Sequence, residues 1–94
     1  MRKSLVSATF MLGLLLSNAA FAADRTVKLA VQNMFCAACP FTVKSSLQSV
    51  PGVKTVLVSF ENKTAIVVFD DARTNVQALT KATTDAGYPS APKG

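Results

Sequence analysis

An α+β sandwich, with two helices on one face of a four-stranded antiparallel sheet, is the fold class this sequence predicts, and three observations predict it. Apolar and polar residues alternate over stretches beginning at Arg25, Val53 and Thr64, which is the period of half-buried strands. Apolar residues recur instead at spacings of three and four after Cys39 and after Thr74, which is the period of helices. The two patterns come in the order strand, helix, strand, strand, helix, with room for one short strand at the end. That order is the split βαβ arrangement, a ferredoxin-like βαββαβ open-faced sandwich.

The elements can be taken in chain order. Arg2-Lys3 precedes an apolar run from Leu5 to Leu16, and Ala20-Phe21-Ala22 supplies a small-residue cleavage site, so residues 1–22 read as a secretory signal peptide. The run falls short of the roughly 20 residues a spanning helix needs, and a stable membrane insertion of the mature chain is not expected. Residues 23–94 remain as one small domain. Its first strand covers Arg25 to Gln32, with Val27, Leu29 and Val31 on the inner side. Asn33 suits a turn, and Met34 has the parity to continue into the core.

A helix is expected to start close to Cys39, because Pro40 is tolerated only in a first helical turn and biases the residue before it away from helical dihedrals. Val43, Leu47 and Val50 form its buried face, and Pro51-Gly52 ends it. Val53 to Phe60 and Thr64 to Phe69 then read as a hairpin around Glu61-Asn62-Lys63. Val56, Val58 and Phe60 point inward on one strand, and Ala65, Val67 and Phe69 on the other. Ile66 and Val68 leave the outer face partly apolar. Thr74 to Gln77 fits a capping box ahead of Val76, Leu79, Ala82 and Ala86, and Gly87 stops this second helix. Pro89 and Pro92 restrict any last strand to a short piece at the sheet edge.

Composition excludes more than it assigns. Without the leader the chain holds eight basic and five acidic residues, a net charge of +3. The basic residues are scattered, with no run and no interleaved aromatics, so nucleic acid is not an expected partner. Two cysteines, Cys36 and Cys39, stand in a chain that has no histidine. Soft-metal or thiol chemistry must therefore use this pair, and three uses are open: a structural crosslink, a redox dithiol, or a two-sulfur clamp for a soft cation.

The crosslink is the weakest of these, since it closes too small a loop to add much stability. A small thiol-disulfide oxidoreductase is the enzyme alternative. Against it stand the absence of tryptophan, a proline that follows the pair instead of lying within it, and a chain short for a thioredoxin-like domain. The clamp fits best. Both sulfurs would sit where a loop enters a helix, where unpaired amides and the helix dipole favour thiolate. Two thiolates cannot complete the four-ligand set of a closed zinc site. They suit a d¹⁰ ion content with two sulfurs in near-linear array, mercuric or cuprous.

At this point the residues carry a family resemblance. Met34-Phe35-Cys36-Ala37-Ala38-Cys39, Val53 after a Pro-Gly turn, Val56-Leu57-Val58-Ser59-Phe60, Ala65-Ile66-Val67-Val68-Phe69-Asp70 and Ala86-Gly87-Tyr88 together resemble the heavy-metal-associated domain family. The likeness spans essentially the whole of residues 23–94. Cys36-Ala37-Ala38-Cys39-Pro40 with Thr42-Val43-Lys44, Leu79 to Thr83 and Asp85 to Ser90 is similar to the mercuric-ion-binding branch of that family, found in the bacterial periplasm. The lead-in Asn33-Met34-Phe35 departs from the family's common Gly-Met-Thr or Gly-Met-His.

The resemblance implies a monomeric periplasmic carrier, not an enzyme. Its Cys36 and Cys39 would bind one Hg²⁺ as cargo and pass it to an inner-membrane mercuric transport protein. It implies no organic cofactor, and it leaves a periplasmic Cu⁺ chaperone of the same fold as the nearest alternative. It also implies that Met34 packs in the core and that Tyr88 lies beneath the metal loop.

Overall fold

The computed structural model describes residues 23–93, and the expected signal peptide over residues 1–22 lies outside them. Four strands and two helices follow in the expected order: β1 (Asp24–Val31), α1 (Cys39–Gln48), β2 (Val53–Ser59), β3 (Thr64–Asp70), α2 (Val76–Asp85) and β4 (Ser90–Pro92). The sheet order is β2-β3-β1-β4, and every pairing is antiparallel. The short last strand therefore sits at an edge beside β1, where its Pro92 disturbs least.

Alternation sets which side of the sheet is buried. Val27, Val67 and Val56 stand in register across three strands, as do Leu29, Ala65 and Val58, and these rows meet the helices. Val43 and Leu47 from α1 and Leu79 from α2 complete a core in which each is fully buried. Burying aliphatic side chains of this size contributes about 1.5–3 kcal/mol apiece relative to exposure. The opposite face carries Leu57, 68% exposed, next to the half-buried Ile66 and Val68, so it is partly apolar as the sequence suggested.

Four expectations need correction or refinement. Phe60 does not point inward: β2 ends at Ser59, and Phe60 lies in the hairpin turn at 38% exposure. The turn begins one residue early because Asn62 N–H is bonded to Ser59 Oγ and the loop closes through Lys63, whose φ is +56°. Thr74 is not the cap of α2. Asn75 is, with extended backbone and its Oδ1 accepting from Ala78 N–H at 2.9 Å, the geometry asparagine offers at least as well as threonine.

The inner stripe of α2 also differs from the expected one, since Thr83 is fully buried while Ala86 is exposed. Thr83 is accommodated because its hydroxyl bonds to the Thr80 carbonyl and to Ser90 Oγ at 2.7 Å, which joins α2 to β4. Finally, α1 ends at Gln48, with Val50 half-buried beyond it. Gly52 then turns the chain at φ +100°, where a Cβ would come within 2.9 Å of Arg73 Cβ, so no other residue fits.

Candidate metal centre

The segment from Gln32 to Ala38 joins β1 to α1, and its near end is tied down on two sides. Gln32 N–H donates to the Pro89 carbonyl at 2.8 Å, and Asn33 Nδ2 donates to the Gly87 carbonyl at 3.1 Å, both in the chain between α2 and β4. Asn33 holds φ +70°, a left-handed conformation that asparagine tolerates better than most residues. This reverses the chain direction. It also sends Met34 into the core, where it is 1% exposed. From the other side, Lys63 of the hairpin donates from Nζ to the Met34 carbonyl at 2.8 Å.

Beyond Met34 the chain surfaces. Phe35 is 82% exposed, Cys36 through Ala38 are exposed, and Cys39 returns to the interior at 6%. Cys36 and Cys39 are joined as a disulfide with their α-carbons 5.2 Å apart. The helix begins at Cys39, and Pro40 in its first turn has no amide hydrogen to satisfy. Ala38 offers no side-chain cap. Cysteine atoms fill part of that role: Cys39 N–H donates to the Cys36 carbonyl at 3.1 Å, and Cys36 N–H donates to Cys39 Sγ at 3.3 Å.

The electrostatics favour negative sulfur. Cys39 Sγ already receives a backbone N–H and lies at the positive end of α1. No acidic residue occurs between Asp24 and Glu61 in the sequence, so the segment from β1 to the hairpin supplies no carboxylate to α1 or its loop. Among the described residues no three His, Cys, Asp or Glu side chains gather into a metal-holding group. Hard oxygen coordination and a closed four-ligand zinc site both lack donors here. What this end of the molecule can hold is an ion satisfied by two sulfurs.

The sequence reading named Cys36 and Cys39, and the fold brings them together at the helix start. Met34, expected to pack in the core, is buried there. Tyr88 is half-buried and packs against the core cluster. Three features had no clear signal in the sequence. Lys63 and Asn33 secure the loop through main-chain carbonyls, which any donor of suitable reach could do. Phe41 is 74% exposed and, with Phe35, brackets the cysteines with two solvent-facing rings, although its spacing from Val43 did not mark it as surface.

Comparison with known proteins agrees with this geometry. The family model described as "Heavy-metal-associated domain" matches residues 28–89. A "mercuric transport protein periplasmic component" from Acinetobacter calcoaceticus is 60% identical over 73 residues, covering 78% of this chain and 80% of that protein. Among solved structures, oxidized MerP from Ralstonia metallidurans CH34 superimposes with TM-score 0.75 at 57% identity, covering 77% of this chain and all of that one. The mercury-bound form of MerP, the periplasmic protein from the bacterial mercury detoxification system, gives TM-score 0.68 at 58% identity with the same coverages.

Proposed function

The chain belongs to the heavy-metal-associated domain family, and from that premise we propose that it is a periplasmic mercuric-ion carrier whose Cys36 and Cys39 bind one Hg²⁺. The observation that carries the proposal is the position of the two sulfurs. They share a helix start, an amide hydrogen already points at one of them, and no other side chain among the described residues joins them in a metal-holding group. Relatives at about 60% identity that carry a mercuric transport name support mercury over other soft cargo. The secretory leader expected from the sequence of residues 1–22 and relatives named as periplasmic components support the compartment.

Capture starts from the reduced pair. The disulfide takes up two electrons and two protons from a dithiol donor of the compartment, giving two thiols. Hg²⁺ then displaces both thiol protons and forms two Hg–S bonds, so the bound unit is neutral and mercury stays divalent throughout. Exposed Cys36 can be reached by an incoming thiolate. That thiolate adds to the two-coordinate ion, a third Hg–S bond forms, and one of the original sulfurs then leaves. Repetition moves the ion to the cysteines of an inner-membrane mercuric transport protein, and nothing is catalysed or chemically changed in the cargo.

Titration of the reduced protein with mercuric salt should show one-to-one uptake that alkylation abolishes. Cys36→Ser and Cys39→Ser should each weaken binding by orders of magnitude while the circular dichroism spectrum stays native. Unchanged affinity in either single variant removes the reading. Competition against Cu⁺ at equal thiol concentration distinguishes the cuprous carrier, because preferential cuprous loading would reassign the cargo. The disulfide itself is compatible with a thiol-disulfide exchanger. Insulin reduction by the protein is therefore expected to be negative.

A further inference from the structure

Lys63 is an unusual residue for its place. It closes the β2–β3 hairpin at φ +56°, a left-handed conformation that glycine or asparagine would adopt at lower cost. Its backbone is fixed there, since its carbonyl accepts from Val31 N–H at 2.8 Å at the end of β1. The residue is exposed, yet its side chain folds back onto the protein. Its Nζ donates to the Met34 carbonyl at 2.8 Å and stands 3.8 Å above the centre of the Phe60 ring. The displaced Phe60 thus has a role: its face supports the ammonium group that reaches across to the loop.

We propose that Lys63 is a positioning residue for the cysteine loop, whose ammonium, braced on Phe60, clamps the Met34 carbonyl. It thereby fixes the point from which Phe35 to Ala38 move when the sulfurs change from disulfide to dithiol to metal-bound. The neighbouring contacts mark where the fixed part ends. Gln32, Asn33 and Met34 are all bonded to other elements, whereas Phe35 N–H reaches only back to the Asn33 carbonyl at 3.0 Å and Cys36 is solvent-exposed. A root held by a charged hydrogen bond keeps the sulfurs over the start of α1 while the loop tip rearranges. The inference rests on the carrier reading for its purpose, but its geometry is independent of the cargo.

The test uses the metal-free disulfide form first. Hydrogen exchange followed by NMR should show the Phe35 and Cys36 amides exchanging about tenfold faster in Lys63→Met, the size expected for loss of one charge-assisted hydrogen bond. Leu29 and Val67 amides in the sheet should be unchanged. Lys63→Arg, which can still donate and stack, should restore slow exchange, and Lys63→Gln should restore it only in part. Equal exchange at Phe35 and Cys36 in wild type and Lys63→Met overturns the proposal. So does uniform acceleration through β1 and β3, because Lys63 would then serve only hairpin stability. Transfer of Hg²⁺ from the loaded protein to a small dithiol should also change in rate in Lys63→Met and be rescued by arginine. If wild type fails to load mercury, the carrier reading falls and the exchange result still decides the clamp.

Discussion

Cys39 and Cys36 differ in a way that suits a two-step exchange, since one is anchored at 6% exposure on a helix and the other stands open on the loop. In the proposed transfer an approaching thiolate would meet Cys36 first, leaving Cys39 on the helix. Met34, only two residues before Cys36, belongs to neither role. It is 1% exposed and packed with Leu29, Val31 and Val43 in the same cluster, and its carbonyl rather than its sulfur interacts at the loop. Truncation should therefore cost stability instead of ligation. Met34→Ala is expected to lose about 2–5 kcal/mol in urea unfolding, and Met34→Leu less than about 1.5 kcal/mol. Mercury affinity of Met34→Leu should match wild type, and a large drop would make the thioether a ligand after all.

At the scale of elements, the start of α2 separates two readings of one short stretch. Thr74-Asn75-Val76-Gln77 can be capped at either of its first two residues, and both satisfy the sequence preference for a polar cap. The cap is Asn75, whose side chain accepts from Ala78 N–H, while Thr74 N–H donates to the Asp70 carbonyl in the preceding turn. Asn75→Ala should lower stability by about 1 kcal/mol, and Thr74→Ala by clearly less, measured by chemical unfolding of the two variants side by side. Legibility of the fold divides along the same line. Period and punctuation placed the first three strands and both helices to within a residue or two, and the last strand only as a short piece at an edge, because alternation at Val27, Leu29 and Val31 or the spacing of Val43 and Leu47 answers directly to a buried face. Cap choice, the turn at Phe60 and the buried Thr83 depend on which hydrogen-bond partner a neighbouring element presents, and Ser90 or Asp70 cannot be assigned that task from spacing alone. The cysteine pair was legible because the chain offers no other soft donors in that role. Its tethers were not, since Lys63 and Asn33 bond main-chain atoms that every residue has.

At the scale of the whole molecule, the core and the sulfur loop are separable, and a carrier needs them to be. The apolar cluster is assembled from the sheet and both helices, and Cys39 is the only one of the two cysteines that enters it. The disulfide closes a loop with a sequence separation of three, so its effect on the unfolded chain is smaller than the roughly 3 kcal/mol expected of a 15-residue loop. A protein that receives metal as a dithiol must keep its fold when that bond is opened, with the change confined to the end where the ion is held. Reduction should therefore leave a native circular dichroism spectrum and a single cooperative thermal transition, lowered by about 10 °C or less for a domain of this size. Amide exchange should rise only between residues 33 and 41. Collapse of the sheet on reduction would contradict the carrier, because the form that takes up mercury would then have no fixed helix start on which to hold its two sulfurs.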